Sequence, residues 1–276
     1  MTFHPGEREI QHRAGVQSMA DKVGRIIQDS IPEAAADFLE RQRMLVLGYR
    51  DEAGRVRASL VTGRPGFARV TDPRTLRIAA PGIPDGEAAV LAIDFEHRQR
   101  MRLNGRLEND AGGVVIRAKE VYSNCPKYIQ RRVVTGDSDG ISKRTTGKSL
   151  SPAQRDLLVR ADTFFIATVP PGLSADVSHR GGNPGFVRVP DATHLEWDDF
   201  QGNAMFNTLG NLVQDPEAGL LFVDFEGGRM LNLNGRARVV GDQERRVVLE
   251  IREVSEEPDG NPLRWELPDT SPFNPR

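Results

Sequence analysis

"IDFEHRQRMRLNGR" (Ile93–Arg106) and "VDFEGGRMLNLNGR" (Val223–Arg236) are two copies of one motif, 130 residues apart. An earlier block is repeated too: "RPGFARVTDPRTL" (Arg64–Leu76) lies over "NPGFVRVPDATHL" (Asn183–Leu195) at an offset of 119. That alignment pairs Phe67 with Phe186, Arg69 with Arg188 and Asp72 with Asp191. The chain is therefore a tandem repeat. Its second copy has gained 11 residues between the two blocks, and the gain contains "GNAMFNTLGN" (Gly202–Asn211).

Outward from the repeated blocks, each copy reads as sheet. "RMLVLGYR", a turn at "DEAG", "RVRASLV", "TLRIAA", "AAVLAIDF" and "RMRLNGRLE" alternate or run apolar over short lengths between Gly, Pro and Asp turns. Strands of this kind predict a small antiparallel barrel rather than βαβ units. Each copy opens with a helix signal, Ser30–Glu33 around Pro32 and Ser151–Gln154 around Pro152, both S-x-x-E/Q boxes. The polar insertion predicts a loop leading into a helix over 204–214, with Asn203 as its cap. "VTGDSDGISKRTTGKSLS" (Val134–Ser151) reads as the linker, giving domains 1–140 and 141–276. Val16, Met19, Val23 and Ile26 predict one packed face of an N-terminal helix.

Composition narrows the classes of function. With 37 basic and 39 acidic residues, no field favours nucleic acid or a membrane surface. No apolar run approaches the ~20 residues that span a bilayer, and the polar start is no signal peptide. The single Cys125 fits a reducing, cytoplasmic setting. Five scattered His show no metal-ligand spacing, so no metal is expected.

The copies differ where a ligand could bind. His179 and Arg180 stand where copy one has Leu60 and Val61, in the same copy that has the polar insertion. Asn207, Thr208 and Asn211 at a helix N-terminus, with Arg180 opposite, suit a phosphate. A solvated turn and a surface arginine left by repeat divergence would give the same pattern.

"SHRGGNPGFVRV" followed by "FQGNAMFNTLGNLVQDPEAGLLFVDFEGGRMLNLNGRA" resembles the pyridoxamine 5'-phosphate oxidase-related split-barrel family. "FHPGE" and "YSNCPKYIQRR" resemble a tandem subgroup of it. The resemblance implies two tandem FMN-binding split barrels, mainly β with helices, packed as an intrachain pseudo-dimer. Carried over by position, it implies FMN held by His179, Arg180, Asn203, Asn207, Thr208, Asn211 and Arg229. Lys127, Tyr128 and Trp265 are pocket-lining candidates, and Cys125 reads more simply as a small buried residue. The family's vitamin B6 enzymes carry a C-terminal Arg/His signature, whereas "NPLRWELPDTSPFNPR" has Arg264 and Trp265 but no such His. The implied activity is a flavin-dependent oxidoreductase acting on a small-molecule substrate, with NAD(P)H or another electron donor. A protein that carries or senses FMN, heme or a deazaflavin without turnover is the alternative. The expectation is one FMN per chain, with copy one as scaffold and lid; a further homodimer is left open.

Overall fold

The computed structural model describes residues 3–80, 82–138 and 143–275, so the expected boundary at 140–141 lies outside the described residues. In chain order the first part comprises α1 (Pro5–Arg13), α2 (Gln17–Val23), α3 (Glu33–Glu40), β1 (Met44–Arg50), β2 (Val56–Thr62), β3 (Ala68–Asp72), β4 (Thr75–Ile78), β5 (Gly86–Asp94), β6 (Gln99–Asp110) and β7 (Gly113–Ser123). β8 (Arg131–Asp137) and β9 (Thr145–Gly147) follow. The second part comprises α4 (Pro152–Arg160), β10 (Thr163–Thr168), β11 (Asp176–Gly181), β12 (Val187–Arg188), β13 (His194–Asp198), α5 (Asn207–Gln214), β14 (Glu217–Val223), β15 (Met230–Val240), β16 (Arg246–Glu257) and β17 (Leu263–Asp269).

The two large sheets have the same order, β2-β1-β5-β6-β7-β4-β3 and β11-β10-β14-β15-β16-β13-β12. Even the bulges coincide, at Asn104/Gly105 and Asn234/Gly235. The fold is two split barrels packed as an intrachain pseudo-dimer. Alternation in the central strands explains the packing, because successive side chains point to opposite faces. In β1, Leu45 and Leu47 enter the first barrel's core while Met44 and Val46 enter a core shared by both barrels. In β10, Phe164 and Ile166 fill the second barrel and Phe165 and Ala167 join the shared core. Each fully buried side chain of this size stabilises by about 1.5–3 kcal/mol. The barrels also meet through backbone. A Cβ on Gly219 would lie 2.4 Å from the Val56 carbonyl, and Asn234 Nδ2 donates to that same carbonyl at 3.0 Å.

The two helix signals behave differently. Ser151 caps α4 with the full box, its Pro152 at the first position. α3 starts at Glu33 with Pro32 as N-cap and no side-chain cap. The residue before a proline avoids helical backbone. In copy two that residue is the capping serine; in copy one it is Ile31, whose N–H instead donates to Pro73 O at 2.7 Å. The expected linker is partly sheet, since β8 pairs with β17 and β9 with β16. The expected N-terminal apolar face is packed only in part: Met19 and Ile26 are 52% and 46% exposed, while Val16 and Val23 are half-buried. α1 crosses from the first half to lie on α5, with Gly6 over Gly210.

Candidate functional site

β6 from the first barrel and β11 from the second face each other at one end of the junction. Arg100 and Arg102, two apart in β6, share a face and meet Ser178, His179 and Arg180 of β11. They line a cleft of about 70 Å³ together with Asn124, Cys125, Lys127, Tyr128, Phe200 and Asn203. A second recess of about 60 Å³, behind Arg102, Ser178, Arg180, Asn207 and Thr208, adjoins it.

Arg102 is the buried member. It pairs with the buried Asp176 at 2.8 Å and donates to Ser178 Oγ, and its Nε has no partner among the described residues. Asp176 Oδ2 also accepts from Ser178 Oγ at 3.0 Å and from Thr208 Oγ1, so that oxygen is satisfied. Arg100 donates to Cys125 O at 3.0 Å and meets His179 Nδ1 at 2.9 Å. Arginine can only donate, so His179 accepts at Nδ1 and its proton sits on Nε2. That Nε2 is buried without a partner. Burial and then the neighbouring arginines hold the His179 pKa well below its ordinary value, keeping the ring neutral. Burial, with repulsion from Arg102 and Arg180, lowers Arg100 to about 9, still cationic at neutral pH. Arg180 makes no side-chain hydrogen bond or ion pair among the described residues. The cleft therefore gathers three guanidiniums, with Asp176 paired to Arg102, while Asp198 and Asp199, also in its lining, pair with Arg188 and Arg245. Such an arrangement can receive an anion.

Of the sequence-derived candidates, His179, Arg180, Asn203, Lys127 and Tyr128 come together here, and Cys125 with them. Asn203 does not cap the helix. α5 begins at Asn207 after Phe206 in left-handed backbone (φ 61°), and Asn203 Oδ1 accepts from Met205 N instead. Asn207 and Thr208 line the second recess, but Asn207 donates to Glu7 and Thr208 to Asp176. Asn211 turns away, donating to Thr168 Oγ1 and Ser174 O. Arg229 and Trp265 lie apart, in a cleft of about 430 Å³ where Arg229 approaches Glu256 at 3.4 Å and Trp265 packs on Phe95 and Phe225. Arg100, Arg102, Ser178 and Asp176 escaped the reading of the sequence. The signal was present: Arg100 and Arg102 stand where copy two has Met230 and Asn232, the same kind of difference that singled out His179 and Arg180.

Copy one also closes over the cleft. Asn203 Nδ2 donates to Asn124 Oδ1 and Tyr128 Oη to Gln201 O, both at 3.0 Å. The Tyr128 carbonyl sits where a Cβ on Gly181 would be, 2.0 Å away. Copy one has Thr62 at the position of Gly181. Among the described residues no group of His, Cys, Asp or Glu is placed to hold a metal, and no helix is long and apolar enough to cross a membrane.

Residues 150–262 match the profile of the pyridoxamine 5'-phosphate oxidase family. The match covers most of the second barrel and does not extend to the first. Among solved structures, an H111A variant of HupZ from Group A Streptococcus is similar at 14% identity, covering 38% of this chain and 98% of that one, with a TM-score of 0.31. FAD-binding proteins from Mesorhizobium loti (12% identity, 41% and 97% covered, TM-score 0.31) and Mycobacterium smegmatis (18%, 42% and 98%, TM-score 0.29) are similar as well. No curated protein sequence matches the chain.

Proposed function

We propose that the protein is a flavoprotein that binds one FMN per chain at the barrel junction and acts as an oxidoreductase on a small molecule. The observation that carries this reading is the guanidinium cluster of Arg100, Arg102 and Arg180, in a chain whose second barrel matches the profile of a family named for a phosphate-bearing substrate. The unpartnered Nε of Arg102 and Nε2–H of His179 are donors waiting for acceptors, which fits a phosphate. The cleft as it stands holds a group of phosphate size. A flavin ring needs several times that volume, so the Phe200–Asn203 segment moves aside on binding.

Each residue then has a task. Arg180 and Arg100 bind the phosphate, Arg102 fixes Ser178 and Asp176 behind it, and His179, neutral, donates from Nε2. Lys127 and Tyr128 close the cleft from copy one and exclude water. Flavin, when bound, supplies hydride or electron transfer at its ring, so the side chains are asked for orientation rather than acid–base chemistry. NAD(P)H is the first donor to try. A carrier or sensor of FMN, heme or a deazaflavin without turnover is the alternative reading. The visible spectrum of the purified protein separates these ligands, and anaerobic bleaching by NAD(P)H separates reductase from carrier. Flavin released on denaturation is expected at one per chain; two would refute the asymmetric site. Production of pyridoxal phosphate at an ordinary enzymatic rate, on the order of 1 per second, is not expected. Arg264 is paired with Asp259 in the tail, and Trp265 lies in the other cleft.

A further inference from the structure

Behind the Arg102–Asp176 pair lies a separate polar cavity of about 220 Å³. It is lined by His4 and Glu7 of the α1 end, Asn104 of β6, Glu120 of β7, Asp176 of β11, Asn207 and Asn211 of α5, and the 172–175 turn. Its chemistry is the reverse of the cleft's. Three carboxylates line it and, among the described residues, no Lys or Arg does, although Arg102 is bound to one of them from the other side. Asn104 donates Nδ2 to Glu120 at 2.9 Å, which fixes its amide and leaves Oδ1 as an acceptor without a partner. Asn104 is 2% exposed. Asp176 Oδ1 likewise makes no hydrogen bond of good geometry, although Arg102 stands beside it. An unmet acceptor among carboxylates calls for a charged donor.

The cavity exists because the copies are not quite alike. In the other half of the junction Asn234 closes directly onto Val56 O, and Gly219 permits that approach. Here the residue paired with Asn104 is Ala89, where Asn234 is paired with Gly219. We propose that the cavity binds a small ammonium ligand, the ammonium ion or a primary amine, through Asn104 Oδ1 and the carboxylates of Glu7, Glu120 and Asp176. An ammonium rather than a metal follows from geometry. No group of carboxylates and histidines among the described residues converges closely enough to ligate a metal, whereas N–H donors can reach acceptors spread around a wall. Burial, with repulsion from Glu120 and Asp176, raises Glu7 to about 7, so a proton competes with the ligand. Burial lowers His4, which stays neutral and adds no competing charge.

The test is thermal unfolding of the full chain in amine-free phosphate buffer, titrated with methylammonium chloride against sodium chloride at equal ionic strength. At pH 8 methylammonium should raise the unfolding temperature saturably, by about 3 °C at high occupancy, and sodium should not. At pH 6 the midpoint concentration should be about tenfold higher, because most Glu7 is then protonated. Glu120→Gln, at a part-exposed side chain, and Glu7→Gln should each raise the midpoint at least tenfold. No saturable rise, an equal rise with sodium, or a midpoint unmoved in Glu120→Gln overturns the proposal. None of these outcomes depends on flavin.

Discussion

Where β6 meets β11, Arg100, Arg102, His179 and Arg180 face one another; where β15 meets β2, the corresponding residues are Met230, Asn232, Leu60 and Val61. The backbones are equivalent, with the same strand order and the same bulge. At the second position Leu60 and Met230 pack with the shared core, Val61 enters the first barrel's own, and Asn234 ties the strands to Val56. Duplication thus supplied two junctions: one became packing, and the other kept polar groups under strain of burial. The lesson is that the scaffold needs both copies, while the chemistry needs their difference.

The largest effect expected from breaking this asymmetry comes from Arg102→Ala. It leaves Asp176, 1% exposed, as an uncompensated buried charge, which costs about 3–5 kcal/mol. The counterpart of Asp176 is Arg57, bound to Asp51 and Glu253 near the surface. Arg55 also reaches both acids, so Arg57→Ala should cost only about 1 kcal/mol. Urea unfolding of the two variants measures the contrast, and equal losses would remove it.

Next in size is the pH dependence carried by Glu7. Its folded-state pKa of about 7 lies above its ordinary value of 4.5. Between those values the folded chain holds a proton that the unfolded chain has lost, so this group's stabilising share falls as pH rises and is gone by about pH 8. The loss is roughly 3 kcal/mol. Glu7→Gln cannot ionise and should gain on wild type by that amount from pH 5 to pH 8, in amine-free buffer. A difference that stays flat with pH would contradict the burial assigned to Glu7.

How much of this was legible follows the same division. The repeat, the strands and the second capping box are local patterns, and they appear where the residues place them. Phe164 to Ala167 announce a strand buried on both faces, though not that the far face belongs to another barrel. Arg100 and Arg102 lie inside the repeated motif and read as scaffold, because His179, which meets Arg100, and Ser178 and Asp176, which meet Arg102, are more than 70 residues away. Asn207, Thr208 and Asn211 invited a phosphate by type. Which way their side chains point depended on α1 lying over α5, and no local pattern encodes that contact. Arg229 follows from the resemblance by position and Trp265 is a pocket-lining candidate, and the structure puts both in a different cleft.

Ligand affinity tests the comparison with a smaller lever. Arg180→Ala removes a guanidinium with no other partner among the described residues, so it should cost little stability. It should weaken FMN by about one to two decades, since charge-assisted contacts contribute roughly 1.5–3 kcal/mol each. Val61→Ala, at the matching position, should leave FMN affinity unchanged. Fluorescence quenching of free FMN on binding reads both, and equal affinity in wild type and Arg180→Ala would sink the phosphate assignment.

The smallest expected effect concerns the closure from copy one. Tyr128 Oη holds the Gln201 carbonyl, and the Tyr128 backbone, in left-handed conformation at φ 68°, rests on Gly181. Tyr128→Phe keeps the ring and the backbone but releases Gln201, a single neutral hydrogen bond worth about 0.5–1.5 kcal/mol. The segment it holds is the one proposed to move for a flavin to enter. Losing the bond therefore favours opening, and it removes a restraint on the closed, occupied state. Both entry and exit of FMN should quicken, exit by more, with a net loss of affinity of less than about one decade. Stopped-flow measurement of the two rates distinguishes this from mere loss of packing, which would speed exit alone. If both rates are unchanged, the first copy supplies arginines but no lid, and the asymmetry of the junction resides wholly in those arginines.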